Sequence, residues 1–169
     1  LEFRRVLCRS YIAADWKAPW GSIAAQMTDF DLDGLLDVVV MTRDGIALER
    51  GLGDRFAAPV SVDSGVGRGF AIGDLDGDGG EDIVASSRSN SLAILRSGLS
   101  GGATQNYSRL YIAGKTSNRS AIGAKIELRS GSLRQKLEIY ASSPAPASAD
   151  TIFGLGYRTT VDAVQIFWP

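Results

Sequence analysis

Residues 29–37 read Asp-Phe-Asp-Leu-Asp-Gly-Leu-Leu-Asp, and residues 74–82 read Asp-Leu-Asp-Gly-Asp-Gly-Gly-Glu-Asp. The two stretches begin 45 residues apart, and both carry aspartate at positions one, three, five and nine and glycine at position six. Carboxylates with this spacing in a tight loop reach a common point, and the glycine permits the sharp turn between them. Such oxygen ligands suit a hard divalent cation, for which Ca²⁺ is the natural occupant. The sequence therefore predicts two calcium sites in an internal repeat.

Each predicted site takes its ligands from the side chains at positions one, three, five and nine and from the backbone carbonyl at position seven. The predicted ligands are Asp29, Asp31, Asp33, Leu35 and Asp37 in the first loop, and Asp74, Asp76, Asp78, Gly80 and Asp82 in the second. An EF-hand is excluded, because it needs flanking helices and a glutamate at position twelve, where this chain has Val40 and Ala85. A plain aspartate-glycine turn is the weaker interpretation, because four crowded carboxylates repel one another unless a cation neutralises them.

The residues around the loops predict β-strands. Runs rich in β-branched residues follow each loop directly, at 38–42 and 83–86. The segments at 22–28 and 70–73 lead into the loops, and those at 46–49 and 92–95 follow as further strands. A predicted outer strand covers 56–62, where Pro59 favours a sheet edge. A period of about 45 residues with several short strands is typical of propeller blades.

The pattern changes near residue 104. Residues 124–129 alternate between apolar and charged side chains, which predicts a half-buried antiparallel strand, with a turn at Ser130-Gly131 and a partner strand at 137–140. Further strands are predicted at 110–113 and 161–168. The Pro-, Ala- and Ser-rich residues 141–150 have almost nothing to bury and predict a mobile loop. The glycines at 154 and 156 are interpreted as serving backbone geometry.

The chain is therefore predicted to be all-β, with two blade-like antiparallel repeats followed by a small antiparallel domain that resembles a β-sandwich. The predicted divisions are an N-terminal segment with a strand at 1–20, two repeats at 21–104 that divide at about residue 65, and a β domain at 105–169. Two four-stranded blades cannot close a ring, so apolar blade faces would be left bare. We expect either that the C-terminal domain folds back onto the repeats or that copies of the chain associate.

Residue usage excludes several kinds of chemistry. The chain has no histidine and a single cysteine, Cys8, which excludes Ser-His-Asp and Cys-His catalysis, histidine-ligated zinc and thiolate clusters. Paired aspartates also serve in glycoside hydrolysis, but metal ligands are held ionised and cannot act as the general acid. We therefore expect no catalytic residues and no cofactor other than Ca²⁺ at the two sites.

Charge and hydropathy limit the partners. Nine of the nineteen acids lie in the two loops, which leaves ten acids against eighteen bases elsewhere, yet no run of five basic residues occurs. Nucleic acid is therefore not an expected partner, and with no run of eighteen apolar residues we expect no membrane span. The chain lacks an initiator methionine and ends inside a predicted strand, so we expect it to be part of a longer protein.

The acidic loops, each running straight into Val-Val-Val or Ile-Val-Ala, resemble the FG-GAP or VCBS-type repeats of calcium-binding propeller blades. The C-terminal third resembles the ASPIC and UnbV domain, on the residues Asn118-Arg-Ser-Ala-Ile-Gly-Ala124, Phe153-Gly-Leu-Gly156 and Val161-Asp162 leading to Trp168-Pro169. The order of these two regions, with the repeats first and the ASPIC and UnbV domain last, resembles that of cartilage-acidic-protein-like proteins. It implies a calcium-binding propeller region, although propellers of this type usually have about seven blades and only two repeats are visible. Where the family usually has a Gly-Tyr-rich segment, residues 141–150 are an insertion or replacement.

The resemblance implies a non-enzymatic, calcium-stabilised module of a secreted or cell-surface protein that binds a protein or a glycan. Calcium loops of modest affinity fill more readily outside cells, which agrees with this location. The alternative is part of a calcium-dependent hydrolase or lyase that acts on extracellular polysaccharide, with its catalytic groups elsewhere in the parent chain. Asn106 and Asn118 lie in formal N-glycosylation sequences, and we interpret the second as a turn.

Overall fold

A computed structural model describes residues 19, 21–63, 65–87, 91–97, 105–116, 118–139 and 150–169. These residues form twelve β-strands and no helix, which confirms the all-β prediction. None of the described segments is a helix long and apolar enough to cross a membrane. The predictions for the N-terminal segment other than residue 19, and for residues 141–149 of the predicted loop, fall outside the described part of the chain.

The first repeat forms a four-stranded antiparallel sheet in the order β1-β2-β3-β4. Its strands are β1 (Ser22–Thr28), β2 (Asp37–Thr42), β3 (Ile46–Glu49) and β4 (Val60–Asp63). The β-branched run of β2 is buried along its length, as expected for a central strand with both faces covered. Strands β1, β2 and β3 lie where the sequence predicts them.

The predicted outer strand at 56–62 is wrong over its first half. Strand β4 begins only at Val60, directly after Pro59, and Phe56 makes an isolated bridge to Gly51. Proline has no N–H to donate to a ladder, so the strand starts beyond it. The edge position itself is confirmed, since β4 is the last strand of the sheet.

The second repeat forms a three-stranded sheet among the described residues, in the order β5-β6-β7. The strands are β5 (Val66–Gly73), β6 (Asp82–Ser87) and β7 (Leu92–Leu95). Strand β5 starts earlier than the predicted 70–73, whereas β7 matches its prediction. Each acidic loop thus joins the first strand of its sheet to the central one, β1 to β2 and β5 to β6.

The C-terminal residues form two small sheets around one core. One sheet has the order β10-β9-β12 and the other pairs β11 with β8, all antiparallel. The strands are β8 (Asn106–Tyr111), β9 (Lys125–Ser130), β10 (Leu133–Glu138), β11 (Asp150–Gly156) and β12 (Ala163–Phe167). Their shared core includes Ile126 and Leu128 of β9 with Phe153 and Leu155 of β11. The predicted sandwich-like arrangement follows from this packing.

Strand β10 begins four residues before the predicted partner strand at 137–140. Gly131, with φ +58°, and Ser132 make a two-residue turn, so Leu133 pairs at once with Ser130. Glycine at the first turn position of a hairpin accepts this left-handed conformation. The three consecutive polar residues 134–136 hid the start of the strand, because they break the alternation of apolar and polar side chains that marks a strand in the sequence. Strand β8 likewise begins four residues before its prediction.

Contacts divide the chain into two compact units. One holds the described residues up to Thr28 together with Leu35–Phe70 and Ala85–Ala93, and the other holds Asp29–Gly34, Ala71–Val84 and Ile94–Pro169. The first acidic loop up to Gly34 therefore groups with the C-terminal strands. The domain boundaries inferred from the sequence, 1–20, 21–104 and 105–169, stay predictions.

The motif at 118–124 folds as a turn held by one side chain. Asn118 adopts φ +49°, its Nδ2 donates to the carbonyl of Ile122 at 2.8 Å, and its Oδ1 accepts from the Ile122 amide at 3.0 Å. The amide of Ala121 donates to the Asn118 carbonyl at 2.9 Å. The side-chain amide that glycosylation would modify is therefore used inside the turn, which supports the turn interpretation.

We predict that Asn118→Ala lowers the free energy of unfolding by about 1–3 kcal/mol. The substitution removes both side-chain hydrogen bonds, and alanine adopts the left-handed conformation less readily than asparagine. Chemical denaturation checks this value. Arg119→Ala, at the exposed neighbouring position, is the control and is expected to change stability by less than about 0.5 kcal/mol. Equal effects of the two variants would contradict the role of Asn118.

Candidate metal centres

The first acidic loop curls around its own carboxylates. The Gly34 amide donates to Asp29 Oδ2 at 3.0 Å, and the Asp33 amide donates to Asp31 Oδ1 at 3.3 Å. Gly34 has φ +95°, and Leu32, a buried residue, is also left-handed at φ +60°. These hydrogen bonds from the loop's own amides orient the carboxylates, so that the loop has its conformation before any ligand binds.

The second loop has the same two hydrogen bonds at the matching positions. The Gly79 amide donates to Asp74 Oδ2 at 3.0 Å, and the Asp78 amide donates to Asp76 Oδ1 at 3.3 Å. Two more loop amides are held in the same way, Gly77 by Asp74 Oδ1 and Gly80 by Asp78 Oδ1, both at 2.7 Å. The internal repeat read from the sequence therefore extends to individual hydrogen bonds.

Each loop gathers three carboxylates, and one oxygen atom from each lies within 4.8 Å of the others. The three are Asp29, Asp31 and Asp37 in the first loop and Asp74, Asp76 and Asp78 in the second. Oxygens on one calcium ion lie at most two Ca–O distances apart, or about 4.6–5.2 Å. An all-oxygen, negatively charged donor set is also the kind that hard cations prefer. Both groups therefore have the spacing and the chemistry to hold a divalent cation.

The structure does not gather every predicted ligand. Asp33 lies outside the first group and Asp82 outside the second, so the two loops use different members of the same pattern. For Leu35 and Gly80, the carbonyl ligation inferred from the sequence stays a prediction. The donor sets are thus equivalent at positions one and three and differ at positions five and nine.

The ninth-position aspartates also tie the loops to the strands that follow. Asp37 is 0% exposed and accepts from the Gly51 amide at 2.7 Å through Oδ1. Asp82 is 1% exposed and accepts from Leu75 and Ser97, at 3.1 and 2.9 Å. Buried carboxylates are tolerated when they accept such bonds. Gly51 and Ser97 follow the third strand of their repeats, and sequence reasoning did not identify these partners.

Strand β11 packs on the first loop backbone to backbone. The Gly156 amide donates to the Leu32 carbonyl at 2.8 Å. A Cβ on Gly154 would lie 2.1 Å from Asp29 Oδ2 and 2.5 Å from the Leu32 backbone. The Gly154 carbonyl accepts from Gln135 Nε2 at 2.7 Å, which links the contact to β10. Glycine at 154 is therefore required for the close approach of β11 to the first loop. This is the physical reason why the Gly-Leu-Gly segment serves backbone geometry.

Strand β8 packs on the second loop with two side chains that share one face. Tyr107 lies over Gly79, where a Cβ would come within 2.3 Å of the ring. Arg109 forms an ion pair with Asp74, and Arg96 lies 3.3 Å from Asp76, measured from Nη1 to Oδ2. Alternate residues of a strand lie on the same face, which explains why Tyr107 and Arg109 reach the same loop. No local sequence signal marks these contacts.

Blade-like antiparallel sheets with acidic loops, followed by a small two-sheet β domain, define a modular all-β protein. The family described as FG-GAP-like repeat matches residues 29–85, which include both loops. The family described as ASPIC and UnbV matches residues 114–169. The two matches follow one another in the order that the sequence resemblance predicts, FG-GAP-like repeat first and ASPIC and UnbV second. No curated protein matches the chain.

We predict that Gly154→Ala lowers the free energy of unfolding by about 2 kcal/mol or more, because the added methyl overlaps Asp29 and the loop backbone. Thermal or chemical denaturation measures the change. Gly69→Ala is the matched control, since a Cβ at Gly69 meets nothing within 4 Å. Equal stability of the two variants would contradict the close approach.

Proposed function

We propose that the chain is a calcium-stabilised, non-enzymatic binding module of a secreted or cell-surface protein, with Ca²⁺ as a structural ion in both acidic loops. The observation that carries the proposal is the pair of carboxylate groups, each within 4.8 Å, at matching places in the repeat. Both loops fall in the region that matches the FG-GAP-like repeat, and such repeats typically occur in extracellular or cell-surface proteins. The oxygen-only donor set favours calcium over softer metals.

A structural role for the ion follows from where the loops stand. Each loop joins the edge strand of a sheet to its buried central strand, and each also touches strands of the C-terminal domain. Three carboxylates in so small a space repel one another, and that repulsion opposes the folded loop. A divalent cation would convert the repulsion into attraction and hold the loop in its folded shape.

Several features support a binding role. The chain has no histidine to act as a general base, and the clustered aspartates are assigned to the metal. The edge strands β1 and β4 expose apolar side chains, namely Ile23, Met27, Val60 and Val62. Exposed apolar groups on sheet edges favour association with another surface. We propose a protein or glycan ligand, with self-association through these strands as the route to larger assemblies.

Calcium is expected to raise the melting temperature. With a dissociation constant of about 10 μM and about 1 mM Ca²⁺, each site adds roughly 2.7 kcal/mol of stability. For a chain of this size that corresponds to a shift of roughly 5–10 °C per site. Differential scanning calorimetry in excess calcium and in chelator measures it. A melting curve that is the same in both would refute the structural role.

Asp31→Asn and Asp78→Asn are each expected to reduce the calcium stoichiometry from two to one, because each removes a charged oxygen from a different group. Isothermal titration calorimetry gives the stoichiometry and affinity. Asp44→Asn, an exposed position outside both loops, is the control and should leave two sites. Retention of both sites in the Asp31 or Asp78 variant would show that the proposed ligands are wrong.

A further inference from the structure

The second acidic loop has two arginines as neighbours. Arg109 of β8 pairs with Asp74 through Nη2 and Oδ2, and Arg96 lies within 3.3 Å of Asp76. The Asp74 side chain is 6% exposed and that of Arg109 36%, whereas Arg96 is 69% exposed. The pair made by Arg109 is therefore the better shielded of the two, and shielding strengthens an ion pair relative to one in open solvent.

The two guanidinium groups carry the same total charge as one calcium ion. Against the three carboxylates of the second group, they leave one unit of negative charge, just as a bound Ca²⁺ would. The group of three carboxylates therefore already has internal compensation for two of its three charges. This reduces the electrostatic gain from binding a cation.

The oxygens of Asp74 are also occupied. Oδ1 accepts from the Gly77 amide, and Oδ2 accepts from the Gly79 amide and from Arg109. A calcium ion bound to Asp74 would lie within a few ångströms of the guanidinium, and two cations at that distance repel strongly. Calcium and Arg109 therefore compete for the same carboxylate.

Arg109 can leave without moving the strand. Its long side chain has several rotatable bonds, and its exposed fraction shows an open route to solvent. Tyr107, two residues earlier on the same face of β8, remains over Gly79 and keeps the strand on the loop. An exchange of cations at Asp74 is thus a local side-chain event.

We propose that Arg109 is an internal counter-ion that competes with calcium for Asp74, so that the second loop binds calcium more weakly than it would without the arginine. The proposal rests on the proposed calcium sites and assigns Arg109 the role of setting the affinity of one of them. In the calcium-free protein Arg109 offsets the charge of Asp74, and calcium replaces it there. The second loop thereby stays folded at calcium concentrations too low to fill it.

The test isolates the second site in the full chain with the background variant Asp31→Asn. In that background Arg109→Gln is expected to increase the calcium association constant about ten-fold, the effect of losing one charged hydrogen bond that competes with the ligand. Calorimetric titration with CaCl₂ measures the constant. Arg134→Gln, at an exposed position of β10, is the matched control and should leave the constant unchanged.

An unchanged or weakened constant in the Arg109→Gln variant would overturn the proposal, as would an equal gain in the Arg134→Gln variant. Lack of calcium binding in the Asp31→Asn background, with or without Arg109, would overturn it too. Loss of all calcium binding by the unmodified chain is a different result, because it removes the proposed function itself. Arg109→Lys keeps the charge and should give a smaller gain than Arg109→Gln, which provides a second variant should the glutamine variant not fold.

A second measurement separates competition from a purely structural role. In chelator, Arg109→Gln should lower the melting temperature, whereas in excess calcium the same substitution should have little effect on it, because calcium has taken over Asp74. In chelator, Arg109→Gln should cost less stability in an Asp74→Asn background than in the unmodified chain, as expected for two partners of one interaction. A loss of the same size with and without calcium would show that Arg109 only stabilises the fold and would overturn the competition.

Discussion

The crowding of carboxylates between paired strands is the constraint on which the rest of this structure depends. An aspartate that accepts a backbone N–H from its own loop shapes the loop and at the same time brings its charge close to its neighbours. Asp29 and Asp74 do this at matching positions, each holding the glycine five residues later. The bonds hold the loop in its shape, whereas the crowded charges oppose that shape. Positive charge close to the loop would offset this repulsion.

The two loops have different surroundings although their aspartate and glycine positions match. The first loop contacts the backbone of β11 and has the Leu133 and Gln135 side chains of β10 beside Gly34. The second loop contacts the side chains of Tyr107 and Arg109 of β8. Their donor sets diverge as well, since Asp37 joins the first group and Asp82 stays with the Leu75 and Ser97 amides. Identical motifs thus acquire different electrostatic environments from the strands that cover them.

Local features of this fold could be predicted from the sequence, and long-range ones could not. The loops were readable because their ligands lie within nine residues, and β2 and β6 because β-branched runs follow directly. The start of β10 was missed because the consecutive polar residues 134–136 break the apolar alternation of a strand, and the first half of the strand at 56–62 was wrong because Pro59 blocks the ladder. Arg109 lies 35 residues from Asp74, so no periodicity could relate them. The requirement for glycine at 154 arises from a loop more than a hundred residues earlier.

The contact between Gly154 and the first acidic loop limits which repeat can be combined with which C-terminal domain. Gly154 leaves space for Asp29 and the Leu32 carbonyl, and Leu32 holds its left-handed conformation against β11. A C-terminal domain grafted after a repeat whose loop has another shape would meet a steric mismatch, and a repeat transferred alone would lose the strand that covers its loop. The first acidic loop and strand β11 therefore form one structural unit, and recombination that separates them would destabilise both.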